Sequence, residues 1–583
     1  MRSPRGQEHQ GSIAALDDQR RAARVGRGVV DVLSWCLLVG FGLALVLAFF
    51  VPMYTDEIGI KAVLSRLPID GWRPGALLPQ CRTAYEQRLP LSLLPAAAFH
   101  YALFSWVGLL GLKIGGVVLA VGGSLAAAWA VARTTTDRHA RVRRVALFVV
   151  PLALGVMPMT LVMVRNEPLL VLVVSAFLAL PIVCEAAVEA SIWRRVAVAT
   201  AFILLSSVAV YSHPKMMLFA PLFLLSLAMT FGVRRFPGWV LGVGAFVVAN
   251  VAGIQRVVRV IVQCEEVPDV ASSLQSMTLS PGLLRTDPGG FIGAGLRHLY
   301  EQPIALARMT TFQGYYPAFW LPSEPGRILP PNLTSVSVAV RLALLATVFA
   351  APALVLTALV VARGRQQRRV LTLAAMLLAC IGLHLFLANI HYNFYNAAFV
   401  IPLFAIIDAL SLWAIAHAVP RSWRVRLERA ELVAIAALEA VALVSLGVLL
   451  FHVGPAVLEV ARREGTLIPE QPYSVPIFGY SAERAKIRSL AARCAIVGDG
   501  ASRLVIDDAT LFAFEHLHEP LHLFYVSDVA MWAKSFPGDK ALALLHDLGS
   551  HGLITRCKHL PSALVDRVRR EGDYCCAGPD ELR

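Results

Sequence analysis

The chain has 583 residues, of which 57% are hydrophobic and only 16% charged, with a mean hydropathy of +0.64. A soluble chain carries about 45–50% apolar and about 25% charged residues, so the composition excludes a cytosolic enzyme, a coiled coil and a disordered scaffold. The net charge of +14, from 53 basic and 39 acidic residues, raises nucleic acid as a partner, and the placement of the arginines then removes it.

In chain order, residues 1–28 come first, polar and rich in Gly, Gln and Arg, the composition of a disordered tail. A bilayer-crossing helix needs roughly 20 mostly apolar residues. Such runs occur at 29–53, 112–132, 145–164, 167–187, 195–212, 214–232, 237–254, 337–361, 370–389, 396–417 and 431–453. They predict an α-helical polytopic membrane protein with about eleven transmembrane helices. The first run is too long for the apolar core of a cleavable signal peptide, and the polar tail precedes it. A further apolar stretch at 91–108, which contains Pro95 and His100, reads as a re-entrant or interfacial helix.

Arginines in short loops set the orientation, because basic loops stay in the cytoplasm. They cluster at Arg20, Arg21, Arg24 and Arg27; Arg138, Arg141, Arg143 and Arg144; Arg194 and Arg195; Arg234 and Arg235; Arg363, Arg365, Arg368 and Arg369; and Arg421, Arg424, Arg426 and Arg429. Eleven spans place every cluster on one side. The expected location is a bacterial inner membrane, with a cytoplasmic N-terminus and an extracytoplasmic C-terminus. The excess charge is then topological, and no nucleic-acid role is expected. The outward segments are a loop at 54–111, turns near 165 and 213, a loop at 255–336, a turn near 391 and a tail at 454–583.

The tail reads as a small soluble α/β domain. Helical spacing appears at 482–493 and 540–548, and strand-like runs at 503–507 and 521–526. Of nine cysteines, Cys36, Cys184 and Cys380 lie within spans as apolar fillers, while the outward side carries Cys81, Cys264, Cys494, Cys557, Cys575 and Cys576. An oxidising exterior favours disulfides. A bond between the adjacent Cys575 and Cys576 would be strained, so these are expected to reach Cys494 and Cys557, in either order. A Cys81–Cys264 bridge is a further option. Glu515, His516, His518 and His522 resemble zinc ligands in type, but no single helix or strand presents all three imidazoles, which favours a solvated surface.

Five polar clusters gather at the outward ends of the spans. Tyr54-Thr55-Asp56-Glu57 follows the first, offering either a general base near a hydroxyl substrate or an N-cap. Met163-Val164-Arg165-Asn166-Glu167-Pro168 joins the third and fourth spans, where charges are costly and mark function or an ion-paired hairpin. Tyr211-Ser212-His213-Pro214-Lys215 joins the fifth and sixth. Lys215, one of seven lysines against 46 arginines, suits a phosphate or snorkels at a helix end. Thr311-Phe312-Gln313-Gly314-Tyr315-Tyr316-Pro317 and His391-Tyr392-Asn393-Phe394-Tyr395-Asn396 offer rings and amides suited to sugars, or an interfacial aromatic belt. Asp408 and Glu439, within spans, are expected to face the bundle interior.

On Asp56-Glu57 after the first span, Arg165-Asn166-Glu167-Pro168 after the third and His213-Pro214-Lys215 after the fifth, the chain resembles the GT-C superfamily. These are integral-membrane glycosyltransferases that use polyprenyl-phosphate sugars, and the likeness is greatest to protein O-mannosyltransferases and lipid A aminoarabinose transferases. It covers residues 29–453 by order and placement more than by identity. The resemblance implies a GT-C-like transmembrane domain in which Asp56, with Glu57 beside it, is the catalytic carboxylate. It also implies that Arg165, Lys215 and His213 bind the donor phosphate, and that Glu167 binds donor, acceptor or a divalent metal. Tyr315, Tyr316, His391, Tyr392 and Asn393 are candidates for donor or acceptor binding. The second outward turn lacks an acidic pair of the D-x-D type, which argues against a required metal cofactor. The implied partners are a polyprenyl-phosphate sugar, an envelope glycan, lipid or protein as acceptor, and membrane lipids. The competing readings are a transporter or lipid flippase, against which stand the absence of repeat-related halves and the gathering of polar groups at one face, and a non-catalytic envelope assembly protein.

Overall fold

The computed structural model describes residues 5–54, 57, 98–100, 102, 109–262, 278–312, 334–386, 394–418, 421–462, 474–475, 480–496, 504–507, 510, 513–514, 521–522, 541–547, 549–560 and 562–582. Helix α1 runs from Arg5 to Ala48. It therefore extends helical structure back through the polar segment whose composition suggests disorder. Residues 12–25 of that segment contain no proline or glycine and are rich in Ala and Arg, both good helix formers.

The bundle continues with α2 (Leu109–Ala132), α3 (Arg138–Val149), α4 (Met157–Leu161), α5 (Glu167–Ala190), α6 (Ile192–Ser212), α7 (Ala220–Phe231) and α8 (Pro237–Val262). After α9 (Leu283–Thr286) and α10 (Pro288–Met309) come α11 (Thr334–Val361), α12 (Arg365–Phe386), α13 (Ala397–Ala418) and α14 (Arg421–Val448). A π-helical turn at Leu449–Val453 carries α14 into α15 (Gly454–Arg462). Among the described residues, ten helices are long and apolar enough to cross a membrane. Val29, Val32, Trp35, Val39, Leu43 and Val46 form an exposed stripe along α1, as a lipid-facing surface requires. Helix α13 is buried along most of its length, which fits its apolar composition on all sides.

The expected span at 145–164 is not a continuous helix. It comprises α3, a 3-10 turn at Val150–Ala153 and the short α4, because Pro151 and Pro158 each remove a backbone donor and Gly155 turns the chain at φ +56°. Backbone groups freed at membrane depth need partners within the protein. The Gly155 N–H donates to Ser445 Oγ at 2.7 Å, and the Val156 N–H to the Thr310 carbonyl at 2.9 Å. Met53 and Tyr54, after the first span, pair antiparallel with Val475 and Ser474, after the last. Among the described residues, nine continuous spans lie between them.

Small residues bring α2 against the end of α4 and against α5. A Cβ on Gly116 would stand 2.3 Å from the Val162 carbonyl oxygen, and one on Gly123 2.9 Å from that of Pro168. Small residues are the usual basis of close helix approach in membranes. The arginine-rich end is tied by Arg143 and His139 to Asp31 at 3.5 and 3.0 Å, and by Arg235 to Glu189. Glu439 is fully buried and accepts a hydrogen bond from Ser34 Oγ at 2.6 Å, while Asp408 lies half-buried on α13.

The C-terminal part contains α16 (Tyr480–Arg493), α17 (Ala541–Asp547), α18 (Pro579–Leu582) and a five-stranded mixed sheet. Its strands are β3 (Leu504–Ile506), β4 (Leu521–His522), β5 (Gly552–Arg556), β6 (Arg569–Glu571) and β7 (Tyr574–Ala577), in the order β4-β3-β5-β7-β6. Parallel pairing of β3 with β4 and β5 gives way to antiparallel pairing of β7 with β5 and β6. The core comprises Val505, Leu545, Leu553, Leu564, Ala577 and Leu582. Cys494 bonds to Cys576 and Cys557 to Cys575. Adjacent residues on β7 point to opposite faces, which sends the two neighbouring cysteines to different partners. Cys81, Cys264, Glu515, His516 and His518 lie outside the described residues.

Candidate active site at one end of the bundle

The ends of α5, α6 and α13 opposite the arginine-rich loops bring ionisable groups together. Glu167 opens α5, with Pro168 at the next position, where a missing N–H costs nothing. Asn166 before it donates through Nδ2 to the Ser212 carbonyl at 2.9 Å, tying this turn to the end of α6. At that end, extended His213 caps a 3-10 turn over Pro214–Phe219, its Nδ1 accepting from the Lys215 N–H at 3.1 Å. This turn directs Lys215 inward. Its Nζ lies 2.7 Å from Glu167 Oε1 and 2.8 Å from Asn396 Oδ1, and 5.5 Å from the Phe399 ring centroid.

Arg165 completes the cluster. Its Nε lies 3.5 Å from Glu167 Oε2, and its guanidinium stacks over Tyr395 with Cζ 3.8 Å from the ring centroid. The Arg165 side chain keeps 14% exposure, whereas Lys215 keeps 4% and Glu167 none. Arg165 is therefore the more accessible cation, and Lys215 is held behind it by an acid and an amide. One wall of this cluster is the first outward segment. Fully buried Glu57 accepts through Oε1 from the Val164 N–H at 2.8 Å and from Lys113 Nζ at 3.2 Å. His100, also fully buried, sits beside the backbone of Arg165. Burial pushes its imidazole down to about 4, against the opposing pull of that backbone.

The formal charges are informative. Glu167 is flanked by two cations, Arg165 at 3.5 Å and Lys215 at 2.7 Å, and Glu57 pairs with Lys113 at 3.2 Å. Charged groups gathered at such depth mark a functional position, and two cations side by side offer charge-assisted donors to an anion. The arrangement thus suits an anionic group with a planar guanidinium at its entrance.

Of the residues singled out from sequence, the structure joins Arg165, Glu167, His213 and Lys215 in one cluster and sets Glu57 beside it. Asp56, Tyr315, Tyr316, His391, Tyr392 and Asn393 lie outside the described residues. From the 391–396 segment it is Tyr395 and Asn396 that reach the cluster. Lys113 was not singled out, although a lysine in an otherwise apolar span, in a chain with seven lysines, is the signal that marks it. Glu167 is flanked by two cations, and the described residues contain no group of three or more His, Cys, Asp or Glu disposed around a metal position.

No family model matches the chain, and no curated protein matches it in sequence. Its fold is similar to two solved structures at identities too low for side chains to be carried over. One is ArnT from Cupriavidus metallidurans bound to undecaprenyl phosphate, with 13% identity, 93% of this chain and 97% of that chain covered, and a TM-score of 0.44. The other is the archaeal oligosaccharyltransferase AglB from Archaeoglobus fulgidus, in complex with an inhibitory peptide and a dolichol-phosphate, with 13% identity, 90% and 69% covered, and a TM-score of 0.45.

Proposed function

We propose that this chain is an integral-membrane glycosyltransferase that moves a sugar from a polyprenyl-phosphate donor to a cell-envelope glycan, lipid or protein. The reaction takes place on the extracytoplasmic face of a bacterial inner membrane, with the N-terminus in the cytoplasm. The observation that carries this reading is the Arg165–Glu167–Lys215 cluster, two cations around one fully buried carboxylate, beside the segment that follows the first span. A lipid phosphate at the membrane interface is an anion that such a pair of cations suits. The sequence resemblance of the same motifs to GT-C glycosyltransferases points the same way.

In this reading Arg165 contacts the donor phosphate and Lys215 reinforces it from behind. Asp56 accepts the proton of an acceptor hydroxyl as its oxygen attacks the anomeric carbon. The bond from that carbon to the phosphate oxygen breaks, and polyprenyl phosphate leaves with the electron pair. Fixed cations aimed at the departing charge stabilise the transition state. Single displacement inverts the anomeric configuration. Glu57, bonded to Lys113 and the Val164 N–H, positions the loop and takes no proton. No step is assigned to a metal.

The deciding assay measures release of free polyprenyl phosphate by the purified protein in lipid, from a panel of polyprenyl-phosphate sugars, with envelope extract as acceptor source. Extract-dependent release that falls by about 10²–10⁴-fold in Asp56→Asn is the expected result. Full activity in Asp56→Asn removes the assigned base. No release from any donor by folded protein overturns the glycosyltransferase reading and directs the next assay to lipid or sugar translocation.

A further inference from the structure

Ser474 and Val475 form β2, the only described residues between the end of α15 and the start of α16. They pair antiparallel with β1, Met53 and Tyr54, in the register Met53↔Val475 and Tyr54↔Ser474. Met53 is 1% exposed, and a buried backbone requires partners for its N–H and C=O groups. Tyr54 stands two residues before Asp56 and three before Glu57. Glu57 is in turn fastened to the Val164 N–H and to Lys113. Asp56 thus lies on a short tether between two anchors, one contributed by the C-terminal part and one by the bundle. Consecutive Cα atoms are about 3.8 Å apart, so the Asp56 Cα cannot stray more than about 7.6 Å from that of Tyr54 or about 3.8 Å from that of Glu57.

The course of the last span brings β2 to this place. Helix α15 continues α14 past its π turn, with Val457, Val460 and Ala461 buried, and Gly454 packs so closely on the end of α1 that a Cβ there would stand 3.1 Å from Leu47 Cδ2. The end of the first span and the start of the C-terminal part are therefore neighbours before the strands meet.

We infer that residues 474–475 are a positioning element for the reaction, adding a strand to β1 and so fixing the backbone that enters Asp56. The inference rests on the glycosyltransferase reading of the site. It assigns the C-terminal part a role in turnover, since a misplacement of about 1 Å in a reacting group costs about 10²-fold in rate. Loss of β2 would release the upstream anchor while leaving the Arg165–Glu167–Lys215 cluster untouched.

The test is a Ser474→Pro/Val475→Pro variant of the full chain, which removes both N–H groups of β2. Hydrogen exchange is read over residues 53–57 without substrate, and donor turnover is read separately. Faster exchange at 53–57, with both C-terminal disulfides and the protection of α16 and β5 retained, is expected. So is a fall of about tenfold or more in kcat with the donor KM unchanged. A Tyr54→Cys/Ser474→Cys variant, oxidised to link the opposed residues, should form the bond and keep wild-type kcat. Failure of that bond to form, unchanged exchange at 53–57 in the proline variant, or unchanged kcat with faster exchange overturns the inference. Loss of protection in a protein whose wild type turns over no donor leaves the strand addition standing and overturns the reading of the site instead.

Discussion

Lys215 and Glu167 illustrate how buried charges constrain one another at the candidate site. With Nζ 2.7 Å from Oε1 and neither side chain more than 4% exposed, removal of Glu167 leaves Lys215 a buried charge held by the Asn396 amide, whereas removal of Lys215 leaves Glu167 its contact with Arg165. We expect Glu167→Gln to destabilise the protein by about 3–5 kcal/mol, and Glu167→Gln/Lys215→Met to recover most of that loss without recovering transfer. Thermal unfolding in detergent, paired with the polyprenyl phosphate assay, checks both. Arg165 behaves differently, because its flat guanidinium lies on Tyr395 and keeps partial exposure. Lysine there preserves the charge but loses the planar stack and fork of donors. Arg165→Lys should raise the donor KM by about tenfold, a loss of about 1.4 kcal/mol, while stability changes little. Initial rates over a donor titration decide it, and an unchanged KM removes Arg165 from the phosphate.

The element that departs most from a simple reading of hydropathy is the broken third passage. Its apolar run is long enough for a span, yet two prolines and Gly155 divide it, and its freed backbone groups find Ser445 and Thr310. Gly155 has φ +56°, and a Cβ would stand 2.2 Å from the Thr310 carbonyl oxygen. Gly155→Ala should therefore cost about 2 kcal/mol or more, through backbone strain and through displacement of the strut from α10. The expected signs are a lower unfolding temperature and faster exchange of the Val156 amide. Gly447 on α14, where a Cβ would meet nothing within 4 Å, supplies the control, and its alanine variant should unfold like wild type.

At the scale of the molecule, a membrane bundle and a small disulfide-bonded sheet meet through β1 and β2. The sheet has its own pH sensitivity. Asp507 accepts from the Arg556 N–H at 2.7 Å, from the Thr510 N–H at 2.9 Å and from His559 Nδ1 at 3.0 Å. Burial alone would raise its carboxyl, but the His559 hydrogen bond and the Arg556 charge outweigh it and hold the carboxyl well below the usual carboxylate range. A depressed folded value means that the unfolded chain binds the proton more readily. The stabilisation is then present above the unfolded value of about 3.9 and is lost as pH falls below it. Amide exchange in β3 and β5 should accelerate below about pH 4, and Asp507→Asn should abolish that dependence. Reduction of the two disulfides, which close loops of 82 and 18 residues, should cost about 3–5 kcal/mol each in the chain-entropy treatment. Release of protection at 53–54 should follow it.

The sequence by itself determined the solvent of this protein. Apolar runs of span length are a one-dimensional property, because a lipid-crossing helix satisfies its own backbone wherever its neighbours lie. The arginine clusters are likewise local. The strands at 504–506 and 521–522 and the helices at 480–493 and 541–547 follow the periodicity of their own residues. The motifs Arg165-Asn166-Glu167 and His213-Pro214-Lys215 were visible as charges in apolar surroundings. Only the tertiary structure decided that Lys215 binds Glu167 and Asn396 across 48 and 181 residues of chain, or that Glu57 fastens to Lys113 and the Val164 N–H. Such partners are set by which helices pack side by side, and neither composition nor period encodes that. The pairing of Cys494 with Cys576 and Cys557 with Cys575 is of the same kind, since it depends on which face of β7 each sulfur leaves. The meeting of residues 53–54 with 474–475 depends on how the whole bundle brings the end of the last span beside the end of the first.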